Sequence, residues 1–245
     1  MSATTILPIA ELETHGAVLQ SASRPFSFLD LGCGDAATLA PLLASMAVQR
    51  YKGVDLSETA LALAAENLKA LSCPVELVCG DILAALEADT GLYDVVYTSF
   101  ALHHLSTEQK AEFFRRVAQR LEKDGLLLLT DIVREEDESL PVYLRRYCDW
   151  LRSDWGALNV EEKASACDHI LNNDRPETFS ELRAQAQAAG LEDAVAVARY
   201  GWHRGGLPSR HHRILQSAGR FPRSVVRDKP AFRIKNRFLA RNILG

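Results

Sequence analysis

Phe28-Leu29-Asp30-Leu31-Gly32-Cys33-Gly34-Asp35-Ala36-Ala37 closes an apolar run with two glycines and passes at once into an alanine-rich helical pattern. The run Phe26–Leu31 is short and apolar, which predicts a buried parallel strand. A strand, a tight glycine turn and a helix N-terminus in that order let backbone approach a nucleotide closely. Gly32, Gly34 and Ala37 also fit the dinucleotide pattern G-x-G-x-x-A, so the turn alone leaves the nucleotide open.

Outward from the turn, strand and helix patterns alternate. Residues 38–47 read as a helix and residues 51–55 as a short strand ending in an acid. Ser57 is placed to cap the next helix, whose Leu61, Ala64, Leu68 and Leu71 recur at helical spacing. Val75–Cys79 and Tyr93–Ser99 read as strands. Ser106-Thr107-Glu108-Gln109 has the form of a capping box, its helix is expected to end at Gly125, and residues 126–130 form an apolar strand. This alternation predicts an α/β, Rossmann-like doubly wound sheet with helices on both faces. The charge run at residues 134–138 reads as a solvated linker. Residues 140–171 read as one or two helices carrying Tyr143, Tyr147, Trp150 and Trp155. A second capping box at Thr178-Phe179-Ser180-Glu181 opens a helix that Gly190 stops, and strands are expected at 195–202 and 213–218.

Composition narrows the class. A chain of 245 residues has room for one large α/β domain with an insertion. No apolar run reaches the roughly 20 residues needed to cross a bilayer, and Met1 to Ala10 lacks the features of a signal peptide. Five cysteines without C-x-x-C spacing argue against a disulfide framework or structural zinc site and for a cytoplasmic protein. The net charge of −4 conceals a basic tail: residues 219–245 hold eight basic residues against Asp228 alone, a charge of +7, which leaves −11 on residues 1–218.

In open α/β sheets, ligands sit beyond the carboxyl ends of the strands. The first strand ends in the glycine turn. The second ends at Asp55, where an acid can accept hydrogen bonds from ribose hydroxyls. The third ends at Asp81, whose carboxylate can accept from an adenine amine with Ile82 and Leu83 beside the ring. The fourth ends at Ser99-Phe100-Ala101-Leu102-His103-His104-Leu105. Asp55 and Asp81 also suit a plainer role as acids complementing helix N-termini.

With these landmarks the sequence resembles the class I S-adenosylmethionine-dependent methyltransferases, over roughly residues 26–202. The matching residues are Asp30-Leu31-Gly32-Cys33-Gly34-Asp35-Ala36, Gly53-Val54-Asp55-Leu56-Ser57, Gly80-Asp81-Ile82, Tyr93-Asp94-Val95-Val96 through His103-His104-Leu105, and Asp124-Gly125-Leu126-Leu127-Leu128. Within that superfamily it looks closest to the small-molecule, ubiquinone-biosynthesis-like branch. The resemblance implies a seven-stranded, mostly parallel sheet of order 3-2-1-4-5-7-6 and a helical lid insertion at about 135–175. It implies a methyltransferase domain at 1–218 followed by the basic extension, and S-adenosyl-L-methionine as cofactor, with S-adenosyl-L-homocysteine as its product. Asp30, Gly32, Cys33, Gly34, Asp55, Leu56, Asp81, Ile82, Ser99 and Phe100 become the expected cofactor contacts, with Asp30 orienting the ligand ammonium directly or through water. One position departs from D-x-G-x-G-x-G: the third glycine is Ala36, which is unstrained only at negative φ.

Methyl transfer from a sulfonium is a direct displacement that needs alignment and exclusion of water. It requires no metal, and no metal-spaced His/Cys/acid cluster stands out in the sequence. If the acceptor must lose a proton, His104, His103 and Tyr143 are the candidate catalytic groups, with Asp131 beside them; a histidine holding backbone is the plainer alternative. Thr98-Ser99-Phe100-Ala101 lacks the N/D-P-P-Y/F of enzymes that methylate exocyclic amines. A small, partly apolar O, N or C acceptor is therefore expected, with the aromatic helix as its lid or simply as core. The tail interleaves Phe232, Phe238, Leu239 and Ile243 with basic residues, which suits an anionic membrane surface, RNA, or a solvated extension. A non-catalytic cofactor-binding protein and a nicotinamide-dependent oxidoreductase remain alternatives.

Overall fold

The computed structural model describes residues 19, 20, 22, 24–154 and 158–191, and the backbone path of 195–200 and 212–216. In chain order the elements are β1 (Phe26–Leu31), α1 (Leu39–Ala44), β2 (Val48–Asp55), α2 (Glu58–Asn67), β3 (Val75–Cys79), α3 (Ile82–Ala88) and β4 (Tyr93–Ser99). Then come α4 (Thr107–Arg120), β5 (Leu121–Ile132), α5 (Leu140–Asp154), α6 (Val160–Asn173), α7 (Phe179–Ala188), β6 (Val195–Tyr200) and β7 (His212–Gln216). The sheet runs β3-β2-β1-β4-β5-β7-β6. Its first five members pair in parallel, as the alternating pattern predicts, while β7 lies antiparallel to both β5 and β6.

Every residue of β1 is buried, because helices cover both faces. Alternation sorts the side chains. Phe26 and Phe28 join Val95, Tyr97, Leu126 and Leu128 against α1 and α2, whereas Leu29 and Leu31 join Val96, Leu127 and Leu129 against α3, α4 and α7. A third cluster forms between α5 and α6 around Tyr143, Tyr147, Leu151, Cys167 and Ile170.

Local chemistry sets most helix starts as expected. Ser57 accepts from the Ala60 amide, and the capping boxes at Ser106/Gln109 and Thr178/Glu181 both close. A third box, Asn159 with Glu162, opens α6 and shares the x-x-E spacing. Gly190, at φ +83°, ends α7 with Leu191 N–H donating to Ala186 C=O.

Three expectations need correction. The helix before β5 ends at Arg120, not Gly125. Leu121 already pairs with Tyr93, the chain bulges through residues 122–125 with Asp124 at φ +66°, and pairing resumes at Leu126 opposite Val95. Leu71 is buried but lies beyond α2, after a single 3₁₀ turn. The charged run at 134–138 is not a solvated linker. Arg134 donates to the carbonyls of Pro176 and Glu138 and pairs with Glu177 and Glu181, and Arg146 clasps Glu138. These contacts pin the start of α7 beside the end of β5, where Arg134 and Thr178 form a parallel bridge.

Among the described residues no helix is long and apolar enough to cross a membrane. Trp155 and the basic extension 219–245 lie outside the described residues.

Candidate active site

The glycine turn is held by its neighbour strand. The amides of Gly32 and Cys33 both donate to the Val54 carbonyl, and the Gly34 amide donates to Asp55 Oδ2 at 2.8 Å. Gly32 sits at φ +77°, and a Cβ there would stand 2.8 Å from the Ala101 Cβ. The turn and the loop after β4 are thus in contact, and only glycine permits it. Gly34 at φ +52° has nothing within 4 Å of its missing Cβ, so its exposed edge is open to a ligand. Ala36 does not keep negative φ: it sits at +52°, left-handed and buried. The methyl group is held there at a cost of about 1 kcal/mol. Gly53 is fitted as tightly, since a Cβ would meet Cys33 Sγ and Leu77 Cδ2 at 2.9 Å.

Asp30 is buried, with Oδ2 accepting the Tyr51 hydroxyl at 2.7 Å and Oδ1 accepting nothing among the described residues. Burial raises its carboxyl to about 7; the Tyr51 bond pulls the other way and the nearby Asp55 charge adds to the rise. Burial likewise pushes the Cys33 thiol far up, with Asp30 and Asp55 reinforcing it, which favours the neutral thiol over the thiolate. Asp55 spends Oδ2 on Gly34 and Oδ1 on the Ser57 amide. Asp81 caps α3, with Oδ1 accepting from Leu83 and Ala84. The plain helix-start role therefore holds for Asp81, although each carboxylate keeps further lone pairs. Leu56 stands 73% exposed beside Asp55, while Ile82 is packed into the core. At the end of β4 the Ser99 hydroxyl is buried without a hydrogen-bond partner among the described residues. Phe100 adopts φ +54°, an outlier for a bulky residue, and its amide donates to Thr130 C=O.

The loop after β4 carries the histidines over the end of β5. His103 is buried: its amide donates to Asp131 Oδ2 and its Nδ1 lies 2.5 Å from Asp131 Oδ1. Burial alone would lower the His103 pKa, but the Asp131 charge and hydrogen bond, with Asp174 behind them, raise it above the ordinary histidine value. Asp131 is correspondingly held low against its own burial. His103 and His104 rings lie 4.0 Å apart, and His169 of α6 meets His104 edge-on at 5.6 Å. Asp174, the residue after α6, closes the group: its Oδ1 lies 3.4 Å from His104 Nδ1 and 4.0 Å from His103 Nε2. Asp174 and His169 were missed from the sequence, because no spacing rule ties them to the histidine pair. In the fold, His103, His104 and Asp174 bring their possible ligand atoms within 4.8 Å of one another. Tyr143 is fully buried in the α5–α6 cluster, where burial raises its phenol well above the ordinary value. Tyr147 is also inward, and Trp150 stacks on it at 5.9 Å. In the described structure these aromatics are core first.

The fold and these strand ends define a nucleotide-binding α/β enzyme scaffold. Residues 28–125 match the methyltransferase domain family model. A carboxy-S-adenosyl-L-methionine synthase from Shewanella baltica is 31% identical over 168 residues, covering 66% of this chain and 67% of that protein. The chain belongs to the class I S-adenosylmethionine-dependent methyltransferases, which resolves the nucleotide that the glycine turn left open. Among solved structures, a cyclopropane synthase from Mycobacterium tuberculosis superposes with a TM-score of 0.56 at 20% identity, over 79% of this chain and 62% of that one. The YcgJ protein from Bacillus subtilis gives 0.54 at 18%, over 83% and 94%. These likenesses support the fold, and this chain spans under two thirds of the cyclopropane synthase. The site suits the cofactor on its own terms: a buried Asp30 oxygen without a partner among the described residues, a glycine edge with open space, and an acid at the end of β2.

Proposed function

We propose that this enzyme transfers a methyl group to a small-molecule acceptor seated between the glycine turn and the histidine cluster. The Gly32–Ala101 contact carries this reading, because it joins the cofactor turn to the loop that holds His103 and His104. S-adenosylmethionine, when bound, supplies a methyl group activated by a positively charged sulfur. Asp30 would meet the ligand ammonium, Asp55 the ribose, and Gly34 would let backbone approach; Leu56, Asp81, Ile82, Ser99 and Phe100 would line the rest. The histidines and their two carboxylates are the groups available to manage a proton on the acceptor.

In this reading residues 1–218 form the catalytic domain of a cytoplasmic enzyme, with α5 and α6 over the acceptor. The extension 219–245 is a separate basic segment, and co-sedimentation with anionic vesicles or RNA tests whether it binds either.

A second reading comes from the Shewanella relatives: formation of a carboxylated cofactor instead of a methylated acceptor. Mass analysis of the nucleoside product separates the two. Methyl transfer leaves S-adenosylhomocysteine and requires an acceptor; the other leaves a carboxylated sulfonium. For the methyl-transfer reading, His104→Ala and His103→Ala are expected to lower turnover at least tenfold with cofactor affinity retained. Full turnover in both variants would reject the role of the cluster.

A further inference from the structure

We infer that His103, His104 and Asp174 form a binding site for one divalent transition-metal ion, and that the acceptor is a small oxygen chelator such as a catechol or a 2-hydroxy acid. This rests on the acceptor position proposed above, but the metal site stands on its own geometry. Two histidines and one carboxylate brought this close are a familiar donor set for zinc or iron with open positions. Asp174 Oδ1 is the first sign. It belongs to a buried side chain, accepts no hydrogen bond among the described residues, and lies near two imidazole nitrogens. A buried carboxylate oxygen left in that state is unfavourable unless a cation arrives.

The second sign is Asp131. It binds His103 through Nδ1 and so leaves Nε2, the atom nearer Asp174, as the available ligand. That carboxylate–histidine relation is the usual support behind a metal-ligating imidazole. The third sign is charge. Two buried carboxylates, Asp131 and Asp174, bracket the pair, which favours a cation over an anion. His169 stands alongside with Nε2 buried and without a hydrogen-bond partner among the described residues, available as a further ligand or as a partner to a metal-bound oxygen. The donor atoms lie within 4.8 Å of one another, whereas bonds of about 2.0–2.1 Å require edges of about 3.4 Å. Binding therefore draws the side chains inward.

The metal would take the place of a general base. An acceptor hydroxyl bound to it ionises, its proton passing to water. The resulting oxygen then forms a bond to the methyl carbon as the carbon–sulfur bond breaks and its electron pair returns to sulfur. An acceptor with a second oxygen would occupy the other open position, which is the ground for inferring a chelator.

Chelator-treated full-length protein, with no cofactor or acceptor present, is titrated with Zn²⁺ by calorimetry and with Co²⁺ by visible absorption. One equivalent is expected to bind at micromolar affinity or tighter, with Co²⁺ showing d–d bands of an N/O site. His104→Ala, at a half-exposed position, is expected to fold normally and bind at least 100-fold more weakly; Asp174→Asn is expected to do the same. Asp131→Asn is expected to weaken binding about 10–100-fold. No binding at micromolar metal, or equal binding in His104→Ala and Asp174→Asn, overturns the site. Cofactor affinity is measured separately in each variant, so loss of the metal site is distinguishable from failure of the methyl-transfer reading.

Discussion

Tyr51 donates its hydroxyl to Asp30 at 2.7 Å, and the pair lies buried where β1 and β2 run side by side. Burial dominates the carboxyl, which titrates at about 7 against an ordinary 3.8. The folded chain therefore holds a proton that the unfolded chain has lost between these values. Stability from this group is present below about pH 4, falls as pH rises to about 7, and is level above. A ligand ammonium paired with Asp30 would lower that value again. Cofactor binding at pH 6 is thus expected to release most of one proton, and almost none at pH 9. Calorimetry in buffers of different ionisation enthalpy measures this, with Asp30→Asn as the control. Zero proton release at pH 6 would count against Asp30 as the ammonium partner.

Ala36 and Gly32 give opposite expectations from the same left-handed backbone. Ala36→Gly removes the strain at φ +52° and is expected to stabilise the chain by about 0.5–1 kcal/mol, leaving cofactor binding intact. Gly32→Ala adds a methyl 2.8 Å from Ala101 Cβ at φ +77° and is expected to destabilise by about 2 kcal/mol or more and weaken cofactor binding. Urea unfolding of both variants checks the pair; a destabilised Ala36→Gly contradicts the reading.

Lys110 is 1% exposed on α4 and points its ammonium at Glu177 and the Arg175 carbonyl. Burial lowers its pKa, against the raising effect of Glu177 and Asp131. Lys110→Ala leaves Glu177 buried with its charge less compensated and is expected to cost about 3 kcal/mol, whereas Lys110→Met with Glu177→Gln recovers much of it. Thermal unfolding of the single and double variants measures the coupling. Additive losses would mean that the pair does not act as a unit.

Asp131 holds His103 by both its amide and its ring. Asp131→Asn keeps the shape but changes which ring proton is favoured. Turnover is expected to fall about 10–100-fold with cofactor Kd unchanged. An equal loss in cofactor affinity would assign Asp131 to the cofactor side instead.

Part of the site was legible because its cause is local. The glycines at 32 and 34, the acids ending β2 and β3, and two of the three capping boxes follow from backbone geometry over a few residues. Asp124 shows where that logic fails: Gly125 looks like a helix stop, yet Leu121 finds a partner in Tyr93 and the glycine becomes part of a bulge. Arg134 shows it again, since a charged run is solvated only if no acids fold back onto it, and Glu177 and Glu181 do.

The sequence by itself determined the alternating strands and helices, the cofactor turn and the family, since these depend on periodicity and on residues adjacent in the chain. Only the tertiary structure decided that Asp30 is sealed against Tyr51, that Ala36 takes the strained conformation, and that Asp174 and His169 join the histidines after β4. Those are long-range facts. Pairing of β1 with β2 sets the first, and the Arg175 amide donating to the His103 carbonyl seats Asp174 beside the histidines; no spacing along the chain records which distant carboxylate is buried opposite which imidazole.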